Sequence, residues 1–455
     1  MSRGLDRFRE TEYGLQETHG DAQNRKRTSL ADPRLSDSLL IRGASQIVTA
    51  AGPAPRRGGG LAQLAVLCDG AMLVRDGIIR AVGPARKIEK LPESRRAQLL
   101  DLDGRVVLPG FVDSHTHLIH AASRVEEYEL KIQGASYQEI ARQGGGILDS
   151  VKKLRSATAE ELKTRARVFL ERFAEHGTTT IEAKSGYGLD VTSELRILSL
   201  HQELDAEQPL EIVSTFLGAH VVPEEYRNKP RGTRDYLLLL EQELIPEVAE
   251  NGLAEYCDVF CERSAFSRAE SRQILVAGKK HGLRPRLHAE QLSNTGATRL
   301  GTELGAASCD HLEYLKPADI RALARSDTVA TLLPGCDFHL GLQRYAPARA
   351  LIDAGAVVGL ATDFNPGTSP TLSMAMVLSL ACTQLRMTPA EAISAATINA
   401  AYSLGRHRRI GAIASGKQAD LAVFEVADYR EIPYYFGVNT CWLTMKRGEV
   451  VHMRE

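Results

Sequence analysis

The run Val106-Val-Leu-Pro-Gly-Phe-Val-Asp-Ser-His-Thr-His117 carries an apolar, β-branched stretch into a His-x-His pair. Residues 106–113 read as a buried strand, and residues two apart on an extended chain project to the same side. His115 and His117 can therefore both aim a ring nitrogen at one cation. Neutral imidazoles suit zinc or ferrous iron, and a carboxylate completes such a site while leaving a position for water. A His-x-His standing alone is as easily two packed polar side chains. The reading depends on what else the chain places beside it.

Further runs share the texture of that strand: residues 178–183, 211–217, 256–261, 284–287, 308–310, 329–333 and 357–361. Helical patterns lie between most of them. Leu162, Ala166, Phe169, Leu170 and Phe173 recur at helical spacing, and Gly177 stops that helix before the next strand. Residues 267–281 and 316–324 repeat the pattern. Eight β-α units over about 300 residues give a (β/α)8 TIM-like barrel, and no short repeat favours a solenoid. In such a barrel the chemistry stands at the C-terminal ends of the strands. His115 and His117 follow the first strand, His220 the third, and His288, Glu290 and Gln291 the fifth. Asp310 and His311 end the sixth, and Thr362 and Asp363 the eighth. Five of the 13 histidines fall just past strand ends, which packed polar residues would rarely do.

The barrel is expected over residues 109–408, between two β-rich stretches, 38–108 and 409–455. Asp76-Gly77 separates short β-like runs as a hairpin turn, and Asp103-Gly104 marks another. Residues 420–424 and 442–445 have the same texture, so both ends are expected to build one small β-sandwich domain. Residues 1–37 are polar and aperiodic and read as a disordered extension.

Lys plus Arg number 56 and Asp plus Glu 57, for a net charge of −1 over 455 residues. That balance gives no broad pull toward nucleic acid or an anionic membrane. No run approaches the roughly 18 apolar residues of a membrane span. Seven cysteines, with no CxxC pair and no apolar secretory leader, read as core thiols in a reducing cytoplasm.

Residues 107–117, with the later His and Asp, resemble the amidohydrolase superfamily. Lys184-Ser-Gly-Tyr-Gly188, Phe216-Leu-Gly-Ala-His220 and His288-Ala-Glu-Gln-Leu-Ser-Asn294 narrow this further. So do Asp310-His-Leu-Glu313 and Ala361-Thr-Asp-Phe-Asn-Pro-Gly367. In this order they are similar to the imidazolonepropionase family, from about residue 38 to the C-terminus. The resemblance implies one divalent metal per chain, Zn2+ or Fe2+/Fe3+, held by His115, His117, His288 and Asp363. It implies substrate contacts at Arg124, Tyr137, Tyr187, His220 and Gln291, with Asn365, Gly367 and Thr368 near the product. It also implies a homodimer. The implied reaction opens the ring C–N amide bond of 4-imidazolone-5-propanoate, a small anionic substrate of histidine degradation. Metal-bound hydroxide attacks, and N-formimidoyl-L-glutamate is the product. Arg124, in the first β-α loop, suits a bidentate pair with the propionate carboxylate.

Gln291 stands where many related hydrolases and deaminases carry a glutamate, and an amide is neither acid nor base. Proton transfer is therefore expected of Asp363 with His311, and the developing oxyanion is expected to meet the metal itself or a donor, His220 or His311. Glu290 is expected to alternate away from His288 along the strand, in a supporting role. Lys184 raises a carboxylated lysine bridging two metals, but its KSGYG setting favours a substrate loop. Two rivals stand beside this reading. One is an aminohydrolase of purines or pyrimidines, against which Gln291 and Arg124 count. The other is a barrel scaffold without chemistry, against which the intact ligand set counts.

Overall fold

The computed structural model describes residues 38–134, 139 and 145–455. The expected extension 1–37 and the expected contact Tyr137 lie outside these residues. At the centre are eight parallel strands, each bonded to the next in chain order. They are β1 (Phe111–Thr116), β2 (Thr178–Lys184), β3 (Glu211–Ala219) and β4 (Tyr256–Cys261). Then follow β5 (Arg284–Ala289), β6 (Ser308–His311), β7 (Val329–Leu332) and β8 (Val357–Leu360). The segment after β8 returns to β1. Asp363 N–H donates to His115 O at 3.1 Å, and His117 N–H donates to Phe364 O at 2.8 Å. These two bonds close the barrel at the mouth and bring both ends of the candidate site together.

The strands are buried on both faces, as a parallel sheet covered by helices must be. The covering helices form where capping and apolar spacing coincide. Ala159–Glu175 opens on a reciprocal cap between Thr158 and Glu161 and buries Leu162, Ala166, Leu170 and Phe173. Arg268–Lys280 opens in the same way on Ser267 and Glu270. Among the described residues no helix is long and apolar enough to cross a membrane.

Reading residues 106–113 as one barrel strand requires correction. Val106–Pro109 pairs antiparallel with Leu421–Phe424 and parallel with Gln46–Val48, in a different sheet. Only from Phe111 does the chain enter the barrel. The switch falls at Gly110, where a Cβ would stand 2.5 Å from Thr179 Oγ1. A backbone crossing that closely admits no side chain.

The small domain is a sandwich of two sheets. One has four strands in the order Ile78–Pro84, Gly70–Arg75, Ser38–Arg42, Gln98–Asp101. In the other, Glu449–Met453, Cys441–Lys446 and Leu421–Phe424 precede Val106–Pro109, Gln46–Val48 and Val66–Leu67. Ile41, Ile47, Met72, Val107, Leu421 and Met445 fill the space between them. Asp76 and Gly77, at φ 52° and 73°, make the hairpin turn. Both chain ends thus share one core, and Gly110 N–H donating to Asp420 O at 2.9 Å ties it to the root of β1.

Candidate metal centre and substrate cavity

β1 delivers His115 and, one residue past its end, His117. β5 delivers His288, and Asp363 stands three residues beyond β8. All four are buried, none more than 3% exposed. Asp363 Oδ1 lies 3.5 Å from His115 Nε2 and 3.7 Å from His117 Nε2. The His115 and His288 rings are 4.6 Å apart between centroids. Ligand atoms of His115, His117 and Asp363 lie within 4.8 Å of one another, as do those of His115, His288 and His311. His311, Cys336 and Asp363 form a third such group. The four expected ligands therefore share one cluster, which also takes in His311 and Cys336. Cys336 was expected among the core thiols; it is buried, but against the polar cluster.

The donor set fits a divalent ion. His115 Nε2 and His288 Nε2 are buried with no hydrogen-bond partner among the described residues. Leaving such a group unsatisfied costs about 1–3 kcal/mol, which a cation between them would offset. Burial drives His115 and His117 well below the usual imidazole value, so both are neutral, as ligands must be. Burial also pushes the Asp363 carboxyl up to about 6, against the opposing pull of His311 and His288. Imidazole with carboxylate is the chemistry of zinc and ferrous sites.

A fully buried charged layer lies beneath. Asp310, on β6, places Oδ2 2.7 Å from His115 Nδ1. Asp258, on β4, places Oδ2 3.1 Å from His288 Nδ1. At His115 the hydrogen-bonded carboxylate fixes the tautomer that turns Nε2 outward, whereas at His288 the carboxylate is a charged neighbour without a hydrogen bond among the described residues. Lys184 Nζ sits 2.8 Å from Asp258 and 2.7 Å from Glu182, and 3.8 Å from Asp310. Burial would depress its ammonium, but Asp258 and Glu182 outweigh that and hold it above the ordinary value. Arg286 Nη2 donates to Ser114 O at 2.7 Å. Lys184 therefore belongs to the barrel interior rather than to the substrate loop, and its ion pairs keep it an ammonium.

A cavity of about 280 Å³ opens over the cluster. Arg124, Tyr187, His220, Gln291, Asn365 and Thr368, all expected contacts, line it together with His311. Gly367 packs against Arg124, where a Cβ would stand 2.0 Å from Nη1. Arg124 is buried, with Nη2 2.5 Å from Glu127 Oε2, so it is no free surface arginine. Tyr187 rides on a loop held by Glu194, whose carboxylate accepts from Gly188 N–H at 2.7 Å and Leu189 N–H at 2.9 Å. Asn365 Oδ1 accepts from Gly367 and Thr368 N–H and shapes the turn after Asp363.

His220 requires a correction. Its Nδ1 lies 2.9 Å from Gly186 O, which can only accept, so Nδ1 carries the proton. Burial pushes the ring down to about 3, and neutral His220 therefore presents Nε2 as an acceptor. That geometry argues against an oxyanion donor and favours a partner for a substrate N–H. Glu290 does point away from His288, but not by strand alternation, which would put residues two apart on one side. β5 ends at Ala289, Glu290 adopts φ 51°, and its carboxylate caps Ala297–Leu304 through Ala297 and Thr298 N–H, both at 2.8 Å. His311 and Leu312 stand at φ 82° and 81°, in the left-handed region that residues other than glycine seldom adopt. Reading the sequence missed Asp258, Arg286 and the role of Asp310. For Asp258 the signal was a formal charge inside an otherwise apolar, doubly buried strand.

An eight-stranded parallel barrel with a histidine and aspartate cluster that fits a metal at its mouth is the architecture of the amidohydrolase class, and the amidohydrolase family model matches residues 106–451. Over 421 residues the chain is 49% identical to the imidazolonepropionase of Solibacter usitatus, covering 92% of this chain and 100% of that one. It is 45% identical to the imidazolonepropionase of Geobacillus thermodenitrificans, over 91% of this chain and 97% of that one. The chain belongs to the imidazolonepropionase family of amidohydrolases. Among solved structures, an adenosine deaminase from Xanthomonas campestris with bound zinc superposes with a TM-score of 0.68 at 17% identity, over 92% of this chain and 95% of that one. Guanine deaminase from E. coli gives 0.68 at 17% identity, over 92% and 99%. At that identity these two share the fold.

Proposed function

We propose that this chain hydrolyses 4-imidazolone-5-propanoate to N-formimidoyl-L-glutamate, with one divalent metal held by His115, His117, His288 and Asp363. The observation that carries the reading is a single cavity with the histidine–aspartate cluster at its floor and Arg124 in its wall. Such an ion, when bound, polarises the ring carbonyl and lowers the pKa of water from about 15.7 toward about 7. Water adds its oxygen to the ring carbonyl carbon, the bond to the neighbouring ring nitrogen breaks, and that nitrogen takes the second proton. Asp363 receives that proton from the attacking water and hands it to His311 beside it, which relays it to the leaving nitrogen. His220 Nε2 accepts a ring N–H, the Gln291 amide orients the ring, and Arg124 holds the propionate. Tyr187, Asn365, Gly367 and Thr368 complete the walls, and Tyr137 is assigned here by family resemblance.

Zinc or iron suits this donor set. The seven unpaired cysteines support a reducing cytoplasm, and a homodimer belongs to the same reading. The test follows freshly generated imidazolonepropionate by the loss of its ring absorbance, with ammonia measured in parallel. Ring loss without ammonia release supports the reading. Ammonia release from a purine or pyrimidine, with the imidazolone untouched, transfers the chain to the aminohydrolases.

A further inference from the structure

One cation of the cavity has no task in the reaction above. Resting on that reading, we propose that Lys131 is a second cation of the carboxylate subsite. It grips the propionate together with Arg124 and sets a preference for anionic over neutral imidazolones.

Arg124 precedes the helix Val125–Ile132, and Lys131 sits in its last turn. Residues 124, 127 and 131 follow at spacings of three and four, which places them along one face. Lys131 lines the same cavity as Arg124, Asn365 and Thr368, and its Nζ donates to Gly367 O at 3.0 Å. Gly367 is also the residue pressed against Arg124 Nη1. The two cationic heads therefore flank one peptide unit.

Arg124 alone is a poor trap for an anion. Glu127 Oε2 lies 2.5 Å from its Nη2, and both side chains are buried. The other Glu127 oxygen accepts from Gly146 N–H at 2.8 Å, so the carboxylate is fixed in place. The Arg124–Glu127 pair is formally neutral, and an incoming carboxylate meets the negative member as well as the positive one. Lys131 changes the sign. Among the described residues no carboxylate reaches ion-pair distance of its Nζ, whose hydrogen bond goes to a neutral carbonyl. The three side chains together carry one positive charge, which matches a single carboxylate. Burial and the neighbouring Arg124 both disfavour the free ammonium, and an anion beside it would relieve that.

The experiment compares wild type, K131M and K131R with imidazolonepropionate as substrate. Imidazole-4-propionate and its uncharged amide serve as competing inhibitors. K131M is expected to raise KM by about 10- to 100-fold, the scale of one lost charge-assisted hydrogen bond. Its kcat should fall far less. Imidazole-4-propionate should lose its advantage over the amide by a similar factor, and K131R should recover most of both effects. A merely structural role weakens both inhibitors alike. That result, or a K131M KM within about twofold of the wild type, overturns the inference. Wild-type turnover with an indifferent K131M sinks this inference alone. A wild type that does not open the ring sinks the function reading, and this one with it.

Discussion

The barrel buries two polar layers a few ångströms apart, one dominated by ion pairs and the other by neutral imidazoles. The lower layer, Glu182, Lys184, Asp258, Arg286 and Asp310, is fully buried and knitted by ion pairs within the chain, although Arg286 Nε and Nη1 and Asp310 Oδ1 make no hydrogen bond among the described residues. The upper layer is almost as deeply buried, and His115 Nε2 and His288 Nε2, on rings 4.6 Å apart between centroids, have no hydrogen-bond partner among the described residues. The contrast separates scaffold from site. Buried ion pairs seldom add net stability over apolar packing, so the lower layer is best explained by what it aims: Asp310 at His115 and Asp258 at His288. The upper layer is the part that opens on the cavity, through His117, His288, His311 and Asp363, and can take a partner from outside.

Breaking the upper layer should have the largest effect. D363A removes the carboxylate that stands beside two histidines and should abolish metal retention, with turnover lost by about a thousandfold or more. Elemental analysis and the ring-opening assay read both. H311F is the next step down, because His311 is read as a proton carrier rather than a ligand. Turnover should fall by about 10²–10⁴ while metal content stays near that of the wild type. Parallel loss of metal would instead make His311 a ligand.

Breaking the lower layer should act indirectly. K184M leaves Asp258 and Glu182 without their shared cation, at a cost of about 3–5 kcal/mol in stability. With the supports of His115 and His288 disturbed, metal affinity should drop by about 10- to 100-fold. A chelator titration measures it. A lysine bridging two metals would instead show two ions per wild-type chain, one of them lost on substitution.

The smallest effect lies away from both layers. Burial would raise the Glu211 carboxyl, but Lys446, Arg406 and Arg409 outweigh it and hold the group below the usual carboxylate range. A group depressed in the folded state contributes its full stability above its unfolded value, near about 4.3. It loses that contribution as pH falls through the folded value. E211Q should therefore lower Tm at neutral pH and flatten its acid-side decline. An unchanged profile would remove Glu211 from the account.

Much of the upper layer was legible in the chain because its signal is local. His115 and His117 are two apart, and His288 and Asp363 sit beside strand ends that their own apolar runs announce. The lower layer was not, because Asp310 supports His115 across 195 residues of sequence, and no local pattern encodes that pairing. Gly110 shows the same limit. Residues 106–113 are continuous as an apolar run, and only Thr179 beneath the glycine decides where one sheet ends and the other begins. The proton position on His220 depends on Gly186 O, 34 residues away. Cys336, too, joins the cluster only through the fold.

The most direct test of the central claim is a metal titration of the stripped chain, with ring opening measured on the same samples. Turnover should rise in proportion to bound divalent ion and level off at one per chain. Full turnover by the metal-free chain, or a plateau only at two ions, would contradict it.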